Sequence, residues 1–509
     1  MGKILGAIAV AALCSMADAA TFGFDDVIAR AEQLAKRPYK PLAEIPKFMR
    51  DLSFIDYQNI RFDPTKSLWR DSGSKFQVML VAPGLYYTHP VSINVVDARG
   101  ATPVPFRKAD FTFTDSALEK RVPADLGLAG FKLTYPFNRD EQNQFLVFAG
   151  ASYFRGVGRQ NTFGISARGV AIDTGLPSGE KFPSFTEFWL VRPGAEADEM
   201  TLYGLLDGAS LAGAYEFIVR PGNRTRLRVR AVLIPREGIA QLGVAPLTSM
   251  FYYGSNTARP AGEWRRQVHD SDGLLIHDGA TGEWLWRPLI NPTNLQMDAF
   301  RVTKLAGFGL MQRDVEFVDY QDLAAQYQQR PSAWVQPRGE WADGEVMLVQ
   351  LPTPNETHDN IVAFWRPAER AQAGRRIDLA YELYYGRAEI AAEPVGQAVN
   401  TFVGDGNRPG GGTAEGAYRL LVDFAAGPLE HLSPRAAVVS RVTPLEGTQL
   451  LEQFAEYNAA LGAWRLSVLA RPAQGQPLAL RGYLAKDNDA LTETWTYRLP
   501  AQNDIVGGR

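Results

Sequence analysis

Charged and apolar residues alternate along much of this chain, and the alternation decides which secondary structure it forms. Residues 224–232 (RTRLRVRAV) carry an apolar side chain at every second position from Leu227 onward. A period of two places these side chains on one face of an extended strand. Residues 215–220 precede this stretch across Pro221-Gly222-Asn223, which is turn chemistry, so the two segments predict a β-hairpin.

The same pattern recurs along the chain, and helical periodicity is rare. Residues 24–36 (FDDVIARAEQLAK) have helical spacing, acids in the first turn and Pro38 after the end, which predicts a helix. A second, short helix is predicted near residues 320–328. Further strands are predicted at 76–81, 91–96, 345–351, 361–365, 377–385, 418–424, 436–442, 464–469, 479–483 and 494–499.

This arrangement predicts a mostly antiparallel, all-β protein. Residues 387–412 carry Pro394, Pro409 and three consecutive glycines without a clear pattern, which predicts a linker. We therefore expect a large β-sandwich over residues 21–386 and a small immunoglobulin-like β-sandwich over 413–503, because strands recur there at sandwich-like spacing.

The first twenty residues have the pattern of a secretory signal peptide. Lys3 is followed by ten apolar residues (4–13) and by small residues that predict cleavage near Ala20. The alternative, a first helix of the folded protein, is disfavoured because residues 4–13 have no polar face. Cys14 follows Leu13 instead of a small residue, which argues against a lipid anchor. We expect export to the periplasm by a Sec-type signal, with no membrane insertion after cleavage.

Composition excludes several function classes. The net charge of −3 gives no basis for nucleic-acid binding. A single cysteine rules out a disulfide framework and a cysteine zinc site, and five histidines leave little for a metal centre. Phosphate-binding loops, nucleophile elbows, HExxH and dinucleotide fingerprints do not occur. We expect neither cofactor nor metal.

Two polar clusters carry candidate chemistry. Residues 264–287 combine Asp270 and Asp272 with aromatic and basic residues, as a carbohydrate site would; the alternative is a DSDG turn whose carboxylates bond the backbone. Residues 355–360 (NETHDN) precede an apolar strand, and their alternative is a helix cap or a solvated loop. Two separated carboxylates can act as acid and base in glycoside hydrolysis. Local sequence alone does not bring Asp270 and Asp359 together.

Longer phrases identify a family. SYFRGVGR, FGISARGVAIDT, FPSFTEFW, GAYEFIVRPG, VHDSDGL, GEWLWRPL, GFGLMQRD, RPSAWVQPRGEW, ETHDNIVAFW and LTETWTYRLP resemble the periplasmic glucan biosynthesis proteins of the MdoG/OpgG and OpgD family. The resemblance runs from about residue 24 to residue 500 in matching order. The twin-arginine signal usual in the OpgD branch is absent, which favours the OpgG branch.

The resemblance implies a large sandwich of the galactose-mutarotase type and a role in making osmoregulated β-1,2-linked glucans. It implies an inverting endo-β-1,2-glucanase; the alternatives are a cyclising transglycosylase and a non-catalytic protein that binds glucan and assists backbone synthesis or branching. β-1,2-Glucan is the expected ligand, and a membrane glucan synthase is a further expected partner.

Site residues carry over by position. Asp359 matches the general acid and Asp270 the proposed general base, with Tyr327, Glu356 and Asp272 in support. His358 departs from the asparagine of many relatives and could alter the pKa of the acid. We expect burial or negative charge to raise the pKa of Asp359, and inversion predicts carboxyl groups roughly 6.5–9.5 Å apart. The expected sugar contacts are Trp284, Trp286, Arg287, Arg313, Tyr153 and Arg155.

Overall fold

The computed structural model describes residues 22–138, 141–407 and 412–501. Strands account for 50% of the structure and helices for 11%, which confirms the all-β sandwich prediction. The predicted signal peptide and Cys14 lie outside the described residues.

The strands, in chain order, alternate with a few short helices. They are β1 Ile60–Phe62, β2 Gln77–Val81, β3 Ser92–Asp97, β4 Gly100–Pro103, β5 Phe111–Phe113, β6 Gly130–Asn138, β7 Glu141–Ala149, β8 Tyr153–Gly156, β9 Ser166–Arg168, β10 Val170–Ile172, β11 Ser184–Val191, β12 Met200–Asp207, β13 Leu211–Arg220, β14 Thr225–Pro235, β15 Leu242–Ser249, β16 Phe251–Tyr253, β17 Val268–His269, β18 Gly273–Asp278, β19 Trp284–Pro288, β20 Gln296–Met311, β21 Ser332–Pro337, β22 Ala342–Gln350, β23 Ile361–Pro367, β24 Ile377–Gly386, β25 Gln397–Asn407, β26 Thr413–Ala425, β27 Val439–Leu445, β28 Gln449–Asn458, β29 Ala463–Arg471, β30 Leu478–Lys486, β31 Asp489–Ala490 and β32 Thr494–Leu499. The α-helices are α1 Phe24–Ala35, α2 Lys47–Arg50, α3 Phe54–Gln58, α4 Ser116–Arg121 and α5 Phe317–Tyr320, and 3₁₀ turns lie at Pro64–Lys66, Arg70–Ser72, Lys108–Asp110, Tyr327–Gln329, Ala388–Ala391 and Gly427–His431.

Two antiparallel-rich sheets form the large sandwich. The first runs β2-β6-β7-β8-β9-β15-β23-β22, and the second includes β3-β11-β12-β13-β14-β24-β21. Strand β20 belongs to both, because its first half pairs with β22 and its second half with β18 and β21. Aromatic rings fill the space between the sheets. Phe148 of β7 lies 5.4 Å from Phe188 of β11 and 5.1 Å from Phe217 of β13, measured between ring centroids.

The predicted hairpin is confirmed: β13 pairs with β14, with Arg220 opposite Arg226. The first helix is also confirmed as α1, and its apolar face (Phe24, Val27 and Ala31) packs on the outer side of the second sheet. The prediction of a second, short helix near residues 320–328 is wrong. Helix α5 ends at Tyr320, where Gln321 adopts a left-handed backbone (φ 60°), and only a 3₁₀ turn follows at Tyr327–Gln329.

The C-terminal part forms a second, smaller sandwich. The sheet β25-β26-β29-β28 faces β27, β30 and β32 across a core that includes Leu420, Leu466 and Leu480. Parallel pairing of β19 with β32, Trp286 opposite Trp495, continues the second sheet of the large sandwich into this part.

The segment predicted as a linker, residues 387–412, contains ordered structure. Ala388–Ala391 is a 3₁₀ turn, and β25 pairs with β26 along most of its length. The prediction of an unpatterned linker is therefore corrected: β25 lacks strict alternation because β-bulges interrupt its pairing after Ala398 and after Asp405. The division into two domains remains a prediction, with separate clusters of buried apolar side chains in each part.

Candidate functional site

The connection from β15 to β16 holds both carboxylate-bearing segments. The backbone N–H of Asn360 donates to the carbonyl of Ser249 (3.0 Å), and the N–H of Asp270 donates to the carbonyl of Met250 (2.8 Å). Ser249 ends β15, and Met250 leads into β16. The chain segments that carry Asp359 and Asp270 are thus hydrogen-bonded to successive residues at the end of β15, although 89 positions separate the two carboxylates in sequence.

Asp270 is the buried member of the pair. Its residue is 9% exposed, and its Oδ1 lies 3.3 Å from Nε of Arg330. Burial raises the pKa of Asp270 to about 6; the charge of Asp359 acts in the same direction, and Arg330 and Arg155 oppose it. Because the charge of Asp359 acts on Asp270, the two carboxylates lie within electrostatic range of each other.

Asp359 is the open member of the pair. Its side chain is 35% exposed, and its Oδ2 lies 3.9 Å from Nη2 of Arg155. Of the two causes expected to act on Asp359, burial or negative charge, burial is not present, and it is found at Asp270 instead. The neighbouring His358 is also exposed, with Nδ1 3.1 Å from the hydroxyl of Thr357.

Glu356 and Tyr327 lie beside the pair on the Asp270 side. Both oxygens of Glu356 accept hydrogen bonds from Arg265, at 2.9 and 2.6 Å. Tyr327 is 3% exposed, and burial together with the charge of Glu356 raises the pKa of its hydroxyl. The guanidinium carbon of Arg330 lies 5.5 Å from the centre of the Tyr327 ring, so Arg330 links this tyrosine to Asp270.

Tyr153 and Arg155 come from β8 and lie on the Asp359 side. Their strand reaches β15 through β9: Arg155 is opposite Ser166, which is opposite Thr248. Burial raises the pKa of Tyr153, and the charge of Asp359 adds to that shift. Six predicted site residues are thus neighbours: Asp270, Asp359, Tyr327, Glu356, Tyr153 and Arg155.

The remaining five predicted residues lie at the junction of the two sandwiches. Asp272 uses Oδ2 to accept hydrogen bonds from the backbone N–H groups of Arg313 and Asp314, at 2.9 and 3.1 Å. This backbone bonding resembles the turn alternative, except that the donors belong to a distant segment. Burial raises the pKa of Asp272, and burial together with repulsion from Asp272 raises the pKa of Asp314.

The two tryptophans and two arginines of this group are packed inside the protein. Trp284 stacks on His277, with ring centroids 4.0 Å apart, and Trp286 lies 3.7 Å beneath the guanidinium carbon of Arg313. Arg287, 3% exposed, forms an ion pair of 2.9 Å with Asp298. Buried side chains of this kind have no face open to a sugar, so we leave all four out of the proposed site.

Arg313 joins the two sandwiches. It binds both oxygens of Glu493 (2.7 and 2.9 Å), one oxygen of Glu393 (3.0 Å) and the carbonyl of Ala398 (3.0 Å). Burial and the nearby Glu493 charge raise the pKa of Glu393. The predicted sugar contact is therefore a buried structural clamp.

Two arginines that sequence reasoning did not select, Arg265 and Arg330, organise the site. The only local signal for Arg330 is its position three residues after Tyr327, and for Arg265 its place in the polar segment EWRR. Neither signal distinguishes an organising arginine from a solvated one.

Within the described residues, no group of three or more His, Cys, Asp or Glu side chains is arranged to hold a metal ion. Across the same part of the chain, no helix has the length and apolarity needed to cross a membrane.

Comparison with known proteins agrees with this picture. A family model described as "Periplasmic glucan biosynthesis protein, MdoG" matches residues 22–499. The chain belongs to this family. The MdoG-family match covers both sandwiches and every residue of the proposed site.

Named relatives of the MdoG family match over nearly the whole chain. "Glucans biosynthesis protein G" of Ralstonia nicotianae is 42% identical over 97% of this chain and 99% of its own. The protein of the same name from Dickeya dadantii is 40% identical over 94% and 93%. "Probable glucans biosynthesis protein D" of Shewanella oneidensis is 42% identical over 89% and 84%. Identity to the G and D relatives is similar, so it does not separate the two branches.

Proposed function

We propose that this MdoG-family protein acts in the periplasm on β-1,2-glucan as an inverting endo-hydrolase, with Asp359 as general acid and Asp270 as general base. The observation that supports it most is that two carboxylates of unequal burial lie within electrostatic range of each other, Asp359 beside Arg155 and Asp270 beside Arg330. Unequal environments separate the pKa values of two carboxyl groups. Burial by itself would favour Asp270 as the acid, so the roles proposed here follow the positions that match the family's motifs, and the pH profile below tests them.

The exposed Asp359 is placed to protonate the oxygen that leaves, since a substrate that covers it would remove its water and favour the neutral acid. Asp270 would take a proton from the attacking water, directly or through a substrate hydroxyl. Arg330 keeps Asp270 available as a carboxylate in spite of its burial, because it opposes the rise in pKa. The arrangement requires carboxyl groups roughly 6.5–9.5 Å apart for a single intervening water.

The Asp359→Asn and Asp270→Asn variants test the two roles. We expect each to lower cleavage of linear β-1,2-glucan by roughly 10²–10⁴-fold while binding persists, since each removes a proton-transfer group and keeps the shape. Cleavage is measured by the reducing ends released, and the anomer formed first by NMR. Asp51→Asn, which alters an exposed carboxylate paired with Lys47 at the end of α2, is the control and should cleave at the parental rate. Retained cleavage in the Asp359→Asn or the Asp270→Asn variant would overturn the role assigned to that residue.

The pH profile separates base from acid at Asp270. A base must be ionised, so we expect the rate to rise with pH through about 6, the pKa of the buried Asp270. If Asp270 were the acid, the rate would fall as the pH rose through the same value. Measuring the rate between pH 4 and 8, on the order of two units either side of that pKa, distinguishes the two.

Product analysis separates hydrolysis from the other activities. Short linear oligosaccharides from linear β-1,2-glucan are the expected result. Cyclic products would show that the protein is a transglycosylase and not a hydrolase. Intact polymer with measurable binding would argue against both activities and for a glucan-binding role in synthesis or branching.

A further inference from the structure

Two exposed aromatic side chains, connected to the carboxylate pair through their neighbours, have no part in the proposed acid–base chemistry. Phe182 is 55% exposed and Trp264 is 62% exposed. A single exposed aromatic residue is unremarkable in a soluble protein. These two differ from a lone exposed ring because each lies against an enclosed arginine: Phe182 against Arg168, which is 4% exposed, and Trp264 against Arg265, whose side chain is 11% exposed.

Phe182 rests on Arg168. The guanidinium carbon of Arg168 lies 5.7 Å from the centre of the Phe182 ring and 4.9 Å from that of Tyr153. Arg168 is 4% exposed and is held by an ion pair with Glu180 and a hydrogen bond to the hydroxyl of Thr248 (2.8 Å). Phe182 and Tyr153 thus share one fixed cation, and the charge of Asp359 acts on the hydroxyl of Tyr153.

Trp264 is held by its neighbours in sequence. Oε1 of Glu263 accepts hydrogen bonds from the backbone N–H groups of Trp264 (3.0 Å) and Arg265 (3.1 Å). The guanidinium carbon of Arg265 lies 5.8 Å from the indole centre, and Nη2 of the same side chain donates to Oε2 of Glu356 (2.6 Å). The indole is therefore exposed to solvent, while hydrogen bonds to Glu263 fix the backbone that carries it.

Contacts and charge interactions connect each ring to the site. Phe182 and Tyr153 both lie on Arg168, and the charges of Asp359 and Arg155 act on the Tyr153 hydroxyl. Trp264 lies beside Arg265, which binds Glu356, and the charges of Glu356 and Asp270 act on the Tyr327 hydroxyl. Phe182 is thereby connected to Asp359, and Trp264 to Asp270.

We propose that Phe182 and Trp264 are sugar-stacking positions that bind glucosyl units of the same chain beyond the units at the cleaved bond. The inference rests on the proposed function, because its ligand is the same β-1,2-glucan. A glucan is uncharged, and the C–H faces of its rings pack on flat aromatic surfaces, which offer a large rigid contact area. Rings fixed before binding lose little conformational freedom when the polymer arrives.

The test measures binding in an Asp359→Asn background, so that the polymer is not cut. Calorimetry compares a long linear β-1,2-glucan with a β-1,2-linked trisaccharide. Phe182→Ala and Trp264→Ala should each weaken binding of the long glucan by about tenfold, which corresponds to about 1.4 kcal/mol. They should change trisaccharide binding by less than about twofold, provided that the trisaccharide occupies the centre of the site.

Two further sets of variants keep the result interpretable. Phe182→Tyr and Trp264→Tyr keep a flat ring and should restore most of the long-glucan affinity. Phe54→Ala removes a similarly exposed aromatic ring (58%) from α3, outside this set of contacts, and should bind like the background protein.

The possible results separate failure of the stacking positions from failure of the proposed function. Unchanged long-glucan affinity in both alanine variants would overturn the stacking positions and leave the proposed function standing. Loss that tyrosine does not restore would also overturn them. A background protein that binds no glucan of either length would overturn the proposed function, and this inference with it.

Discussion

At the scale of single residues, the environment of Asp270 decides what the site can do. Burial raises its pKa, and Arg330 at 3.3 Å opposes the rise. The contact is an ion pair without an aligned hydrogen bond, since Nε of Arg330 has no hydrogen-bond partner. Arg330 therefore acts on Asp270 by charge, which makes it a positioning and electrostatic residue.

Replacing Arg330 by glutamine should shift the pH dependence of cleavage. Without the positive charge the pKa of Asp270 rises further above its ordinary value. As the pH is lowered, the rate should therefore begin to fall about one pH unit earlier than in the parent protein. The pH profile of the rate measures this shift. Arg338→Gln, which alters an arginine whose side chain is 61% exposed, is the control. An unmoved profile in Arg330→Gln would show that Asp270 does not set the rate.

At the scale of elements, Asn360 explains how a loop residue such as Asp359 is held in place. Its side chain accepts from the N–H of Phe251 (2.8 Å) and donates to the carbonyls of Phe251 (3.0 Å) and Leu351 (3.0 Å). Asn360 is 2% exposed, so these bonds form away from water. One side chain thereby connects the start of β23, the end of β22 and β16.

Replacing Asn360 by alanine should lower the free energy of unfolding by about 2–4 kcal/mol, because buried backbone groups lose their partners. Urea denaturation measures it. Asn355→Ala is the matched control: that side chain is exposed and accepts only from Thr357, so its cost should be less than about 1 kcal/mol. Equal costs in the two variants would contradict the connecting role of Asn360.

Hydrophobic periodicity predicted the strands well where one face is buried and the other faces solvent, as in β14 with its alternating arginines. It failed for residues 320–328, where a left-handed backbone at Gln321 and Gln326 interrupts the helix. It also failed for β25, whose irregular pairing hides the period of two.

At the scale of the whole molecule, the two sandwiches are joined by shared strands and by a buried ion cluster. Strand β32 continues the second sheet beside β19. Next to it, Arg313 is clamped between Glu493, whose side chain is fully buried, and Glu393, whose side chain is 2% exposed. Removing the cation would leave two buried carboxylates without their partner.

The Arg313→Ala variant should therefore lose about 3–5 kcal/mol of unfolding free energy, as expected for a broken buried ion pair. Arg376→Ala is the comparison, since Arg376 pairs with Asp378 on the surface and should contribute less than about 1 kcal/mol. Urea denaturation of both variants provides the measurement. A small cost at Arg313 would mean that the packing of β19 on β32 alone holds the two parts together.

The sequence by itself determined the all-β class, the first helix, most strands and the two segments that carry Asp270 and Asp359, because period-two alternation and family phrases are local signals. Only the tertiary structure decided which predicted residues meet. Hydrogen bonds to the successive residues Ser249 and Met250 bring the segments that carry Asp359 and Asp270 side by side across 89 positions. Trp284, Trp286, Arg287 and Arg313 are instead buried at the junction of the sandwiches. Burial also raises the pKa of Asp270. Strand partners and solvent exclusion depend on residues far away in the chain, and no local pattern contains them.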